Sequence, residues 1–222
     1  MINAAIVPTM GTKEISSFMA LLVKGGWVMV PILLLSVLTL YVFIERLIVL
    51  QRSTKISEQW LDEIRTKSSA GDMQSVQMLC GQKQYAVARV IQVGIEKLHM
   101  PIEAMECIVE NTGQAEVHKL EKKLALLGTI AGAAPMLGFL GTVIGMIRAF
   151  MAMAQETRPI SPQLLSGGIY EAMITTAAGL IVGIVAYLGY NYLLARIRNA
   201  THDIEHIANQ FIEIVERNLT AK

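Results

Sequence analysis

Residues 124–147 read LALLGTIAGAAPMLGFLGTVIGMI, a run without one charged side chain. As a helix rising about 1.5 Å per residue it reaches roughly 36 Å, enough to cross the hydrocarbon core of a bilayer. Residues 25–44 and 172–195 are also free of charge and reach roughly 30 and 36 Å at the same rise. A helix buried in a soluble core seldom runs so far without a charge, because one flank usually meets water. The expected fold is an all-α integral membrane protein with three transmembrane helices.

Composition agrees. Apolar residues make up 53% of the 222 and charged residues 17%, against about 25% charged in a soluble domain. Mean hydropathy is +0.48. A net charge of +1 offers no electrostatic reason for a nucleic-acid partner. The charges lie between the spans, and their placement orients the chain. One side collects Arg46, Arg52, Lys55, Lys119, Lys122, Lys123, Arg196 and Arg198, the other Lys13, Lys24, Arg148 and Arg158. Basic residues favour the cytoplasm, so the N-terminus is expected outside and the C-terminus in the cytoplasm.

The expected order follows. Residues 1–24 form an outer segment and 25–47 the first span. Residues 48–123 form a cytoplasmic helical insert and 124–152 the second span. Residues 153–166 form a short outer loop, 167–196 the third span, and 197–222 a cytoplasmic helix. The first span starts too late, runs too long and ends in Glu45-Arg46, so it reads as a retained anchor and not as a cleaved signal. Ile15, Phe18, Met19 and Leu22 share a helical face; they suit either an interfacial helix or an extension of the first span.

The insert carries helical stripes, Ile56, Trp60, Leu61 and Ile64, then Val87, Val90, Ile91 and Leu98. Gly71-Asp72 and the Gly81 region should break them. Pro101 suits the first position of a helix, which meets no breaker before Pro135 and should run straight into the second span. In the tail, Ile197, Ile204 and Phe211 recur every seven residues, as do Ala200, Ile207 and Ile214. Such a seam calls for a facing helix, here read as pointing to an oligomer. Cys80 and Cys107 lack zinc-site spacing. Both fall on the reducing side and read as free thiols.

Stepping by three and four along the second span gives Gly128, Ala131, Pro135, Gly138, Thr142 and Gly145, a face of small residues. The third span gives Ala172, Thr176, Gly179 and Gly183. Bulky residues occupy the opposite flanks. Gly141 to Gly145 and Gly179 to Gly183 are GxxxG spacings, so close helix packing accounts for these faces. The alternative is a lining for a polar or moving neighbour, with Thr142 and Thr176 supplying hydroxyls. Glu171, at the edge of the third span, either complements the helix dipole or guards the mouth of a polar path. Arg148 reads as snorkelling to the outer interface. Thr175 points about 100° away from Thr176 and should meet a neighbouring helix or backbone.

No Asp, Glu, His or Lys lies in the middle of any span. Threonine hydroxyls do not titrate in the physiological range. If protons cross here, the titrating carboxylate must come from a partner.

APMLGFLGTVIGMIRAF, residues 134–150, and GIYEAMITTAAGL, residues 168–180, followed by Tyr190-Asn191, resemble the MotA/TolQ/ExbB proton channel family, and its ExbB branch most. That resemblance implies a homopentamer whose second and third spans line a pore. It implies two single-span partners, ExbD-like or TolR-like, carrying the titrating aspartate. The family's pore threonines match Thr142 and Thr176, and its pore-edge glutamate matches Glu171. Force would pass through a TonB-like or TolA-like protein, in ExbB systems for outer-membrane uptake of iron chelates or vitamin B12. Many relatives carry Ile-Pro-Ala where this chain has Ile184-Val185-Ala186, so one kink should be missing.

His202 and His206 stand four apart without a third ligand in the sequence nearby, and read as surface residues. No phosphate loop, nucleophile elbow or paired carboxylates occur, so neither an enzyme nor a cofactor is expected. The leading expectation is an inner-membrane proton-channel stator of the ExbB type. A TolQ role in envelope maintenance and a passive membrane scaffold are the alternatives.

Overall fold

The computed structural model describes residues 25–54, 56–155 and 162–220, and among these seven helices and no strand occur. They are α1 (Met29–Thr54), α2 (Glu58–Ser69), α3 (Met73–Gly81), α4 (Ala86–Glu96), α5 (Ile102–Glu121), α6 (Leu124–Gln155) and α7 (Pro162–Thr220). The proposed interfacial segment around Ile15 to Leu22 lies outside the described residues. Among the described residues, three helical stretches are long and apolar enough to cross a membrane, with only 22 to 28% of their most apolar windows buried. A soluble core helix would hide such a surface; these offer it to lipid or to other chains. The protein is a multi-pass membrane protein.

The chain divides into two compact units. Of the described residues, the first comprises 25–41, 127–155 and 162–188 and carries the apolar parts of α1, α6 and α7. Val28, Met29 and Ile32 of the α1 end pack on Leu137, Ile144, Ile174, Ala178 and Val182. A second cluster joins Ile130, Ala134 and Ala186 to Leu35 and Leu38. Thr39, buried in this apolar surround, satisfies its hydroxyl by donating to the Leu35 carbonyl of its own helix at 2.7 Å.

Of the described residues, the second unit comprises 42–54, 56–126 and 189–220. Gly71, at φ +78°, ends α2, and the Asp72 carboxylate caps α3 by accepting from the Ser75 amide at 3.2 Å. Both stripes turn inward: Trp60, Ile64, Val87, Val90 and Ile91 are buried. The Trp60 indole donates to the Leu79 carbonyl and meets Tyr85 edge-on. The tail seam finds its facing helices within the same chain. A Cβ on Gly94 would fall 2.8 Å from the Phe211 ring, and one on Gly113 would lie 3.7 Å from Ile204. Arg65 donates to Gln210, and Asn218 to the Ser68 carbonyl. The seam is therefore explained by intrachain packing and says nothing about assembly.

Two helix boundaries around α5 differ from the sequence reading, and α6 and α7 also extend into the expected loop, to Gln155 and from Pro162. Pro101 sits at the N-cap, one residue before the expected place, its carbonyl accepting from the Ala104 and Met105 amides. The helix from Pro101 also does not run through. It ends at Glu121, Lys122 is extended at ψ 134°, Lys123 is left-handed at φ 67°, and α6 begins at Leu124. Lys123 holds both carboxylate oxygens of Glu45 on α1, at 2.6 and 2.7 Å. That contact, 78 residues away in sequence, offsets an unfavourable backbone conformation.

Candidate functional site

Within the first unit, α6 and α7 meet through their small residues. A Cβ on Gly179 would fall 2.6 Å from the Ala134 carbonyl oxygen and 2.8 Å from the Gly138 Cα. One on Gly138 would fall 3.0 Å from the Thr175 oxygen, and one on Gly145 2.9 Å from the Ala172 Cβ. The backbones are too close for any side chain between them. The seven-residue step from Gly138 to Gly145 is answered by the seven-residue step from Gly179 back to Ala172, as an antiparallel pair in fixed register requires.

Pro135 lies inside α6 and cannot donate to the Ala131 carbonyl. Gly183 faces this spot: its Cβ would fall 2.5 Å from the proline ring and 3.2 Å from the Ala131 oxygen. Gly138, Gly145, Gly179 and Gly183 thus set the spacing of α6 and α7, with Ala131 and Pro135 half-buried at one end. Gly128 lies half-buried further along α6. The bulky flanks face outward, with Met136, Phe139 and Ile147 on α6 and Met173, Ile181 and Val185 on α7 all more than half exposed.

The three polar positions behave differently. Thr176 reaches across and donates its hydroxyl hydrogen to the Gly138 carbonyl at 2.9 Å. Thr142, half-buried, donates to the Phe139 carbonyl of its own turn. Thr175 is 1% exposed and turns back to the Ala172 carbonyl at 2.8 Å, with Gly141 making room opposite. Each hydroxyl keeps oxygen lone pairs free to accept a hydrogen bond.

Glu171 is mostly covered and forms an ion pair with Arg148, Nη1 to Oε1, at 2.6 Å. Sequence alone leaves Arg148 extending to the interface by itself, and here it has a fixed partner. A guanidinium beside a poorly solvated carboxylate replaces the water the carboxylate has lost. On the other side stands the Gly26 backbone, at φ +66°, so close that a Cβ there would collide with Glu171 Oε1. Sequence reasoning treats Arg148 and Glu171 separately and misses Gly26. The signal for the first pair is present: carrying the Gly145–Ala172 register one turn outward puts position 148 opposite 169, two residues from Glu171 and within reach of an arginine side chain.

A profile of the MotA/TolQ/ExbB proton channel family matches residues 82–206. Over 127 residues the chain is 33% identical to the Tol-Pal system protein TolQ of Haemophilus influenzae, covering 54% of this chain and 55% of that protein. It is 32% identical over 180 residues to the putative biopolymer transport protein ExbB-like 1 of Synechocystis sp., covering 78% of this chain and 68% of that protein. To the biopolymer transport protein ExbB of Aquifex aeolicus it is 34% identical over 119 residues, 53% of this chain and 78% of that one. The match thus spans little more than half the length of the Haemophilus protein.

Proposed function

The chain belongs to the MotA/TolQ/ExbB proton channel family, and from that premise we propose that it is an inner-membrane proton-channel stator subunit of the ExbB type. It works as a homo-oligomer, expected to be a pentamer, around a single-span ExbD-like partner. That partner supplies the titrating aspartate, and a TonB-like protein carries the work to the outer membrane. The N-terminus is periplasmic and the C-terminus cytoplasmic, as the basic residues favour.

One observation carries the reading. Polar hydroxyls lie on two closely packed spans that contain no charged residue at all between 124 and 147 or between 172 and 195. Such a surface can accept and donate hydrogen bonds but cannot itself hold a proton in transit. A foreign acid therefore completes it. Thr142 and Thr176 flank the path and Glu171 stands at its periplasmic mouth. The glycine contacts set the helix spacing that positions all three.

The test is proton flux in liposomes holding this chain with its co-expressed partner. Thr142→Val and Thr176→Val should each lower the flux at least several-fold with the complex intact. Full flux in both would take the two hydroxyls out of the path, and no flux in the wild-type complex would favour the passive scaffold. The Haemophilus likeness favours a second reading, a TolQ-type role. Copurification of a TolR-like and TolA-like pair, instead of an ExbD-like and TonB-like pair, would establish that role.

A further inference from the structure

We infer that Arg148 is a specificity-determining residue of the pathway: it occupies the cation position beside Glu171 and so keeps metal cations out of the mouth. The inference rests on the channel reading above. Its basis is the geometry of the carboxylate. Arg148 Nη1 holds Oε1 at 2.6 Å, and the Glu171 side chain is only 18% exposed. The Gly26 backbone closes the side facing α1, leaving no room for a side chain against Oε1.

An anionic carboxylate removed from water must have a counter-charge. Here the counter-charge is covalently tethered to α6. It cannot be exchanged for an ion from solution while it stays in place. Without it, the same carboxylate would draw a cation from the medium, and at neutral pH sodium outnumbers free protons by orders of magnitude. A guanidinium holds a carboxylate through directed N–H donors and is never deprotonated. Arg148 is a positioning residue in this scheme, since it acts through Glu171.

The experiment uses the full chain co-purified with its partner and reconstituted in liposomes. Proton flux and radioactive sodium uptake are both recorded. The wild-type complex should carry protons and no sodium above the liposome background. Arg148→Gln should gain sodium uptake by several-fold, Arg148→Lys should restore exclusion, and Arg148→Gln with Glu171→Gln should abolish the gain. Loss of the gain in the double variant places the sodium at the carboxylate and excludes a leak through loosened packing.

Three results overturn the inference. The first is Arg148→Gln that assembles, carries protons and admits no sodium. The second is sodium uptake that persists in the double variant. The third is Arg148→Lys as permissive as Arg148→Gln. A wild-type complex that carries no protons removes the channel reading itself, and this inference with it, which is a separate and distinguishable outcome.

Discussion

The Thr176 hydroxyl donates to the Gly138 carbonyl 2.9 Å away on the facing helix, so a candidate pathway residue is also a tie between two spans. Thr176→Val removes the tie and keeps the shape. The expected loss is about 1 kcal/mol, or about 2–4 °C in Tm for a chain of this size. Thr176→Ser, which retains the hydroxyl, should lose less than half of that. Thermal unfolding of the purified complex in detergent decides it: equal Tm for Val and Ser removes the tie from the account.

Gly179→Ala tests the helix contact. Its new Cβ would sit 2.6 Å from a backbone oxygen that cannot rotate away. The helices must separate, at a cost of about 1–3 kcal/mol. A Cβ on Gly132 would meet nothing within 4 Å beyond its own helix, and alanine there should be neutral or slightly stabilising, since alanine is the better helix former. Thermal stability of the two variants side by side gives the comparison.

Lys123 should show an inverted order of substitution. Alanine loses the Glu45 contact and keeps a left-handed backbone that costs a side-chain-bearing residue about 1–2 kcal/mol. Glycine loses the same contact but is at ease at φ 67°. Lys123→Gly should therefore be more stable than Lys123→Ala by about 1 kcal/mol, against their usual order within a helix. Chemical denaturation of the two variants reads the sign directly.

The thiols should differ in reactivity. Cys80 is buried, which pushes its pKa from 9.0 up to about 12, whereas Cys107 is exposed. Maleimide at neutral pH should modify Cys107 and spare Cys80 until the protein unfolds. The raised value also fixes a direction for stability. The contribution of the neutral Cys80 thiol is complete below about pH 9 and is lost as pH rises toward 12. Cys80→Ala should flatten that alkaline decline, as followed by Tm against pH.

Much of this architecture is legible in the residues. Charge-free runs mark the three spans, because a bilayer leaves little choice about composition. The stepping of Gly138, Gly145, Gly179 and Gly183 identifies the faces that meet, because only small residues permit such an approach. What stays hidden depends on contacts distant in sequence. The break at Lys122-Lys123 has no glycine or proline to announce it, and the Glu45 pair that offsets it appears only when α1 is in place. The heptad seam at Ile204 and Phe211 is visible, but its partner is not, since periodicity says that a face is covered and never by what. The Arg148–Glu171 pair can be reached only once the α6–α7 register is known.

That register has a near-repeat against which the ion pair guards. Gly145 could also sit opposite Gly179, and Gly138 opposite Ala186, if one helix slid by seven residues, about 10.5 Å. Small would still meet small at these two positions, but Tyr190 would be carried to the place where Gly183 now admits Pro135, so packing already disfavours the slip. In the slipped one Arg148 would lie beside Ala178, and Glu171 would be stranded without a cation. The charged couple therefore acts as an indexing pin for the hairpin, reinforcing the one alignment that the Pro135–Gly183 contact also selects.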